Sequence, residues 1–187
     1  MTRIVAGTLG GRRIAAPPGA GTRPTSDRVR EALFSAVQAE VDLDGARFAD
    51  LYAGSGAVGL EALSRGARHV LLVESDPRAA RVIRENVAAL RAGPAARLVT
   101  GKVATVLAAG PDGGPYDVVF ADPPYAVPDA EITALLAALV DGDWLTPDAL
   151  VVVERSTRTR SFSWVDGITG ERSRRYGETT LWYGRRS

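Results

Sequence analysis

The 187-residue chain predicts a doubly wound α/β fold: a mostly parallel sheet with helices on both faces, an antiparallel final strand and a small N-terminal hairpin. Three observations carry this. Short apolar runs alternate with helix-length segments from about residue 28 to residue 154. One strand-to-helix junction is the glycine-rich run Asp50-Leu-Tyr-Ala-Gly-Ser-Gly-Ala-Val-Gly59. A later apolar run ends abruptly in Asp122-Pro-Pro-Tyr125.

The elements follow in order. Residues 3–24 hold five glycines, three prolines and two short apolar pieces, Ile4-Val5 and Ile14-Ala15, which reads as a hairpin and an arm. Ser26 or Asp27 can cap a helix from about Arg28 to Val41, with Val29, Leu33, Phe34 and Val37 on one face. Strands are then expected at 47–51, 69–74, 97–101, 117–121 and 150–154. Helices are expected between them at 57–65, 76–90, 103–108 and 129–140. Residues 155–177 are rich in Arg, Ser and Gly and give no regular element, whereas 179–183 reads as a last strand. With no long crossover before it, that strand must pair antiparallel. The division expected is a basic N-terminal hairpin and arm over 1–26 and one domain over 27–187.

Composition narrows the function classes. The chain has no cysteine and a single histidine, so thiolate and His-cluster metal sites are not expected, and the natural setting is intracellular, in the cytoplasm. No apolar run reaches membrane-spanning length. The net charge of +1 hides an asymmetry. Residues 1–30 hold six Arg against one Asp, and residues 155–187 hold eight Arg against three acids, around an acidic centre. Basic ends suit an anionic partner, and equally suit solvated surface charge.

The glycine run matches G-x-G-x-x-G at Gly54, Gly56 and Gly59, with Glu74 at the end of the following strand, placed to accept from ribose hydroxyls. That pattern fits any adenosine-bearing cofactor. Asp50 separates the candidates. It lies at the strand's C-terminal edge, where a dinucleotide brings its pyrophosphate, and a carboxylate there repels phosphate. S-adenosylmethionine instead brings an ammonium and a sulfonium. The alternative is that Asp50 only caps the following turn. In the Asp-Pro-Pro-Tyr turn, the two prolines fix φ and lack N–H groups. The turn therefore presents bare carbonyls, one acceptor side chain and an aromatic face, which suits a planar group bearing an NH2.

On these residues the chain resembles class I S-adenosylmethionine-dependent methyltransferases of the amino-group type, which carry (Asn/Asp/Ser)-Pro-Pro-aromatic after the fourth strand. Within them it is similar to the bacterial enzymes that methylate the N2 amine of a guanine in small-subunit (16S) ribosomal RNA. The likeness runs through Arg3–Gly7, Gly11-Arg-Arg13, Thr22–Phe34, Asp50–Gly66, Asp122–Tyr125 and Tyr176-Gly177. The resemblance implies a Rossmann-like methyltransferase sheet. It also implies S-adenosylmethionine held by Thr25, Asp50, Gly54, Gly56 and Glu74, and a target base held by Asp122, the Pro123 carbonyl and Tyr125. The expected partner is 16S rRNA, within a small subunit or an assembly intermediate. Arg12, Arg13, Arg23 and Arg28 of the arm, with Arg172, Arg174 and Arg175 of the tail, would contact its phosphates. One departure is Gly101-Lys-Val103, where many relatives place an acid or amide beside the adenine amine. Nothing is assigned there. His69, Trp144, Trp164 and Trp182 read as structural residues, and Asn86 as a solvent-facing or locally capping one. The competing classes are a DNA adenine-N6 methyltransferase, an NAD-dependent oxidoreductase on the same glycine turn, and an RNA-binding module without catalysis.

Overall fold

A computed structural model describes residues 2–17, 27–158 and 162–187. Its main sheet has seven strands: β3 (Arg47–Leu51), β4 (His69–Glu74), β5 (Ala96–Thr100), β6 (Tyr116–Ala121), β7 (Leu145–Ser156), β8 (Ile168–Tyr176) and β9 (Thr179–Arg186). Their spatial order is β5-β4-β3-β6-β7-β9-β8. The first five run parallel, and β9 pairs antiparallel with both β7 and β8. A separate two-stranded hairpin joins β1 (Thr2–Arg3) to β2 (Arg13–Ile14).

The helices divide between the two faces as the alternating pattern requires. On one face, α1 (Asp27–Glu40), α2 (Ala57–Ser64) and α3 (Pro77–Ala89) cover Phe48, Val70, Leu72, Val118, Phe120 and Val152. On the other, α4 (Val103–Ala108) and α5 (Asp129–Asp141) cover Ala49, Leu71, Val73, Val119 and Val151. Strands buried on both faces explain why their sequences read as continuous apolar runs rather than alternating ones. Asp76 caps α3 by accepting from the Arg78 N–H at 3.0 Å, and Pro77 follows at the first helical position.

The hairpin is fastened to α2 and α3 by polar as well as apolar contacts. Ile4 and Ile14 are buried against Ala57, Leu60 and Leu90. Glu61, wholly buried on α2, accepts the N–H groups of Val5 (2.8 Å) and Ala6 (3.0 Å). The same carboxylate pairs with Arg65 at 2.9 Å and with Arg30, itself wholly buried on α1, at 3.2 Å.

The fold departs from expectation in the tail. Residues 168–176, expected to be irregular, form edge strand β8. Seven of its nine residues are exposed in succession, so no buried face imprints a period of two on the sequence. The strand exists through its pairing with β9. Trp164, just before it, is a packing residue: its indole lies over Gly170 and Gly184, where a Cβ would come within 2.4 and 2.8 Å of the ring.

Candidate active site

Strand β3 has β4 on one side and β6 on the other, so the chain reverses its direction of winding at β3/β6. In open α/β sheets, ligands bind beyond the carboxyl ends of the strands at this point. A cleft of about 660 Å³ lies there, and both predicted motifs reach it.

The glycine turn forms its first wall. Tyr52, Gly54 and Gly56 all have positive φ, at 62°, 60° and 83°. Glycine takes this conformation freely; Tyr52 takes it at a cost of order 1–3 kcal/mol, which is common where backbone is shaped for a ligand. Gly59 has a different role. A Cβ there would stand 2.4 Å from Leu72 and 2.8 Å from Val70, so its absence lets α2 press against the sheet. Glu74 braces the turn from β4, with Oε1 accepting from the Gly54 N–H (2.8 Å) and Oε2 from the Asp76 N–H (2.9 Å). A carboxylate has about four acceptor positions, so capacity remains for hydroxyl groups of a ligand.

Asp50 is buried, at 1% exposure, and its Oδ2 accepts from the Gly59 N–H at 2.9 Å. It therefore braces the start of α2 as well as lining the cleft. Burial pushes its carboxyl well above the ordinary 3.8, against the opposing pull of the Gly59 hydrogen bond and with a smaller push from Glu74. Such a group stands ready to ionise against an arriving cation.

The second wall is the turn after β6. The Asp122 N–H continues the β3 pairing by donating to the Leu51 carbonyl at 3.4 Å. Asp122 falls on the same sheet face as Phe120, two residues earlier, and Phe120 pairs directly with Asp50. The Pro124 carbonyl accepts from the Val127 N–H at 3.0 Å. Tyr125 is the only exposed large hydrophobic residue among the described residues, at 42%, and its hydroxyl meets Thr179 Oγ1 of β9 at 3.1 Å. The edge hairpin thus steadies an otherwise accessible ring.

A family model described as "Conserved hypothetical protein 95" matches residues 2–185, which span both walls, the hairpin and the terminal strands. The chain belongs to this family. Ribosomal RNA small subunit methyltransferase D of Escherichia coli (strain K12) is 43% identical over 152 residues, covering 81% of this chain and 73% of the relative. The enzyme of the same name from Haemophilus influenzae is 36% identical over 157 residues, 81% and 77% of the two chains. Among solved structures, yhhF of Escherichia coli, provisionally named a methyltransferase, superposes with a TM-score of 0.84 at 34% identity, over 100% of this chain and 98% of that one.

The other residues singled out in the sequence divide. Thr25 and Arg23 lie outside the described residues. Arg13, Arg28 and Arg174 are exposed. Arg12 donates to the Ala89 carbonyl at the end of α3 (2.9 Å), and Arg172 pairs with Glu40 at 3.4 Å. Arg175 bonds the Gly177 carbonyl at the tip of the β8–β9 hairpin (3.2 Å).

Three residues of this family member differ from what the sequence suggests of them, or carry no signal in it. Asn86, expected to face solvent or cap locally, is instead buried and bonded to distant backbone: it donates to the Ser55 and Ala15 carbonyls at 2.9 Å and accepts from the Ala15 N–H at 2.8 Å. It ties the glycine turn to the chain entering the cleft at Ala16 and Pro17. Glu154, on β7 one residue after the Val153 that pairs with Ala121, is buried in the cleft lining. Arg155, next in sequence, is buried on the opposite face. In the sequence it reads as the start of a basic tail.

Proposed function

We propose that the protein transfers the methyl group of S-adenosylmethionine to the exocyclic N2 amine of a guanine in small-subunit ribosomal RNA, in the cytoplasm. The carrying observation is that Asp50 on β3 and Asp122 in the turn just after the neighbouring parallel strand β6 line one cleft at the switch point. One carboxyl favours a cation and the other can accept from an amine. The names of the Escherichia coli and Haemophilus influenzae relatives support ribosomal RNA as the substrate class.

The residues present fit the donor. Glu74 can take ribose hydroxyls, the glycine turn admits close approach, and Asp50 suits the cationic end. Asp50 also makes the site unfavourable for a pyrophosphate. When bound, S-adenosylmethionine supplies a methyl group on a positively charged sulfur.

The remaining work falls to the Asp-Pro-Pro-Tyr turn. A guanine amine is a poor nucleophile because its lone pair is delocalised into the ring. Asp122 and the Pro123 carbonyl each accept one N–H, which turns the lone pair toward the donor and stabilises charge growing on nitrogen. Tyr125 stacks on the base and fixes its plane, so much of the acceleration is positional. A base reaches such a pocket only when unstacked from its helix. Arg13, Arg28 and Arg174 supply exposed positive charge for the phosphates. The substrate is 16S rRNA in a small subunit or an assembly intermediate.

The test is transfer of labelled methyl to isolated small subunits and to naked 16S rRNA, followed by nucleoside analysis. Label in N2-methylguanosine is expected. Asp122→Ala should lower kcat by about 10²–10³, the usual effect of deleting one hydrogen-bonding group that acts in the transition state, with donor affinity retained. Full activity in that variant would remove Asp122 from the chemistry.

A further inference from the structure

We propose that Arg155 is the positioning residue for the target-base turn, holding its carbonyls so that Asp122 and the Pro123 carbonyl face the cleft. This role rests on the methyl-transfer function proposed for the cleft. Pro123 and Pro124 carry no N–H, so the turn has two donors fewer than other loops, and its internal backbone bond is the one from the Val127 N–H to the Pro124 carbonyl. A donor from outside adds to that single bond, and Arg155 is placed to supply it. From the end of β7 its Nη2 donates to the Val127 carbonyl at 2.8 Å, and its Nη1 reaches the Pro124 carbonyl at 3.4 Å. One planar guanidinium thus spans both sides of the turn formed by the Val127 N–H bond to Pro124.

The surroundings argue for a purpose beyond ion pairing. Arg155 is 3% exposed, its nearest carboxylate is Asp129 at 3.6 Å, and that side chain is largely exposed. The Nε has no acceptor among the described residues. A buried cation so loosely paired is costly, and its distinctive contacts are those to the turn's carbonyls. The charge also reaches Tyr52, the residue of positive φ that opens the glycine turn, where it opposes the upward push of burial on the phenol. Arg155 therefore lies behind both walls of the cleft, on a strand hydrogen-bonded on each side. Fixing the Pro124 carbonyl constrains the peptide plane before it, which carries the Pro123 acceptor.

Arg155→Lys and Arg155→Met test this in the full chain. Lysine keeps the charge but offers a single point instead of a fork. We expect S-adenosylmethionine affinity within about threefold of the parent in both. The kcat on small subunits should fall by about tenfold for lysine and about a hundredfold for methionine, the scale of a 1 Å misplacement. Amide exchange at Val127 should quicken in both variants while exchange in β3 and β4 is unchanged. Should the methionine variant fail to fold, the lysine variant carries all three measurements. Unchanged kcat with unchanged Val127 exchange would overturn the proposal, as would loss of donor binding in step with kcat. If the parent protein methylates no RNA, the functional reading fails, and Val127 exchange alone then decides the role of Arg155.

Discussion

Removing Glu61 offers the sharpest test of how the cleft is assembled. Glu61→Leu deletes a buried carboxylate that accepts from Val5 and Ala6 and pairs with Arg30 and Arg65. Breaking a buried pair from one side typically costs 3–5 kcal/mol, because the remaining charge stays in low dielectric. Arg30 keeps Asp27 at 3.1 Å and the Arg3 carbonyl, and Val5 and Ala6 are partly exposed, so water can replace their missing acceptor. The expected loss is therefore about 3 kcal/mol, the lower end of that range. For a chain of this length it corresponds to roughly 6–12 °C in Tm. Urea denaturation and thermal melting give the numbers directly. Because Thr2, Ala16 and Pro17 line the cleft, donor affinity should weaken as well. Adding Arg30→Met should recover part of the loss, since the wholly buried charge is then gone and only Arg65 has lost its carboxylate. A cost below about 1 kcal/mol for Glu61→Leu, the scale of an ordinary substitution, would refute this explanation of the hairpin's attachment.

Asp50 supplies a pH test. Its native carboxyl titrates above the unfolded value of 3.8, so the stability it contributes is fully present below that value and is lost as pH rises through the native pKa. Asp50→Asn keeps an oxygen for the Gly59 N–H and removes this loss. Its neutral-pH denaturation midpoint should equal or exceed the parent's, while donor affinity drops by about tenfold or more. Donor affinity of the parent should rise with pH as Asp50 ionises, and that of the variant should not; calorimetric titrations showing identical pH profiles would contradict the assignment. Replacing Arg13, Arg28 and Arg174 with Gln should flatten the salt dependence of RNA binding by about 0.7–0.9 for each phosphate no longer neutralised. Arg172→Gln, which removes a partner of Glu40, should leave that slope as it was. Equal effects from the two sets would dissociate the exposed arginines from phosphate.

What the sequence disclosed is what local chemistry encodes. Strands β4, β6 and β7 carry apolar runs buried on both faces, the glycine turn needs positive φ, and consecutive prolines end β6. These signals sit within a few residues and place Asp50, Glu74 and Asp122 on one cleft. What stayed hidden depends on distant partners. Strand β8 has no buried face and is defined by β9. Asn86 looks like any polar residue on a helix until Ser55 and Ala15 arrive from 31 and 71 positions away. Arg155 and Arg12 resemble the other arginines of a basic tail and arm, yet one is buried and bonded to the Asp-Pro-Pro-Tyr turn and the other caps α3. Charge counting cannot separate a guanidinium committed to carbonyls from one left for phosphate.

The central claim is that a cation-binding carboxyl and an amine acceptor face one another across a single cleft. A crystal structure with bound S-adenosylmethionine measures this most directly. The methionine end is expected beside Asp50, the ribose hydroxyls on Glu74, and the sulfonium methyl directed at Asp122 and the Pro123 carbonyl. A donor bound with its methyl turned away from Asp122, or lodged outside the β3/β6 cleft, would contradict it.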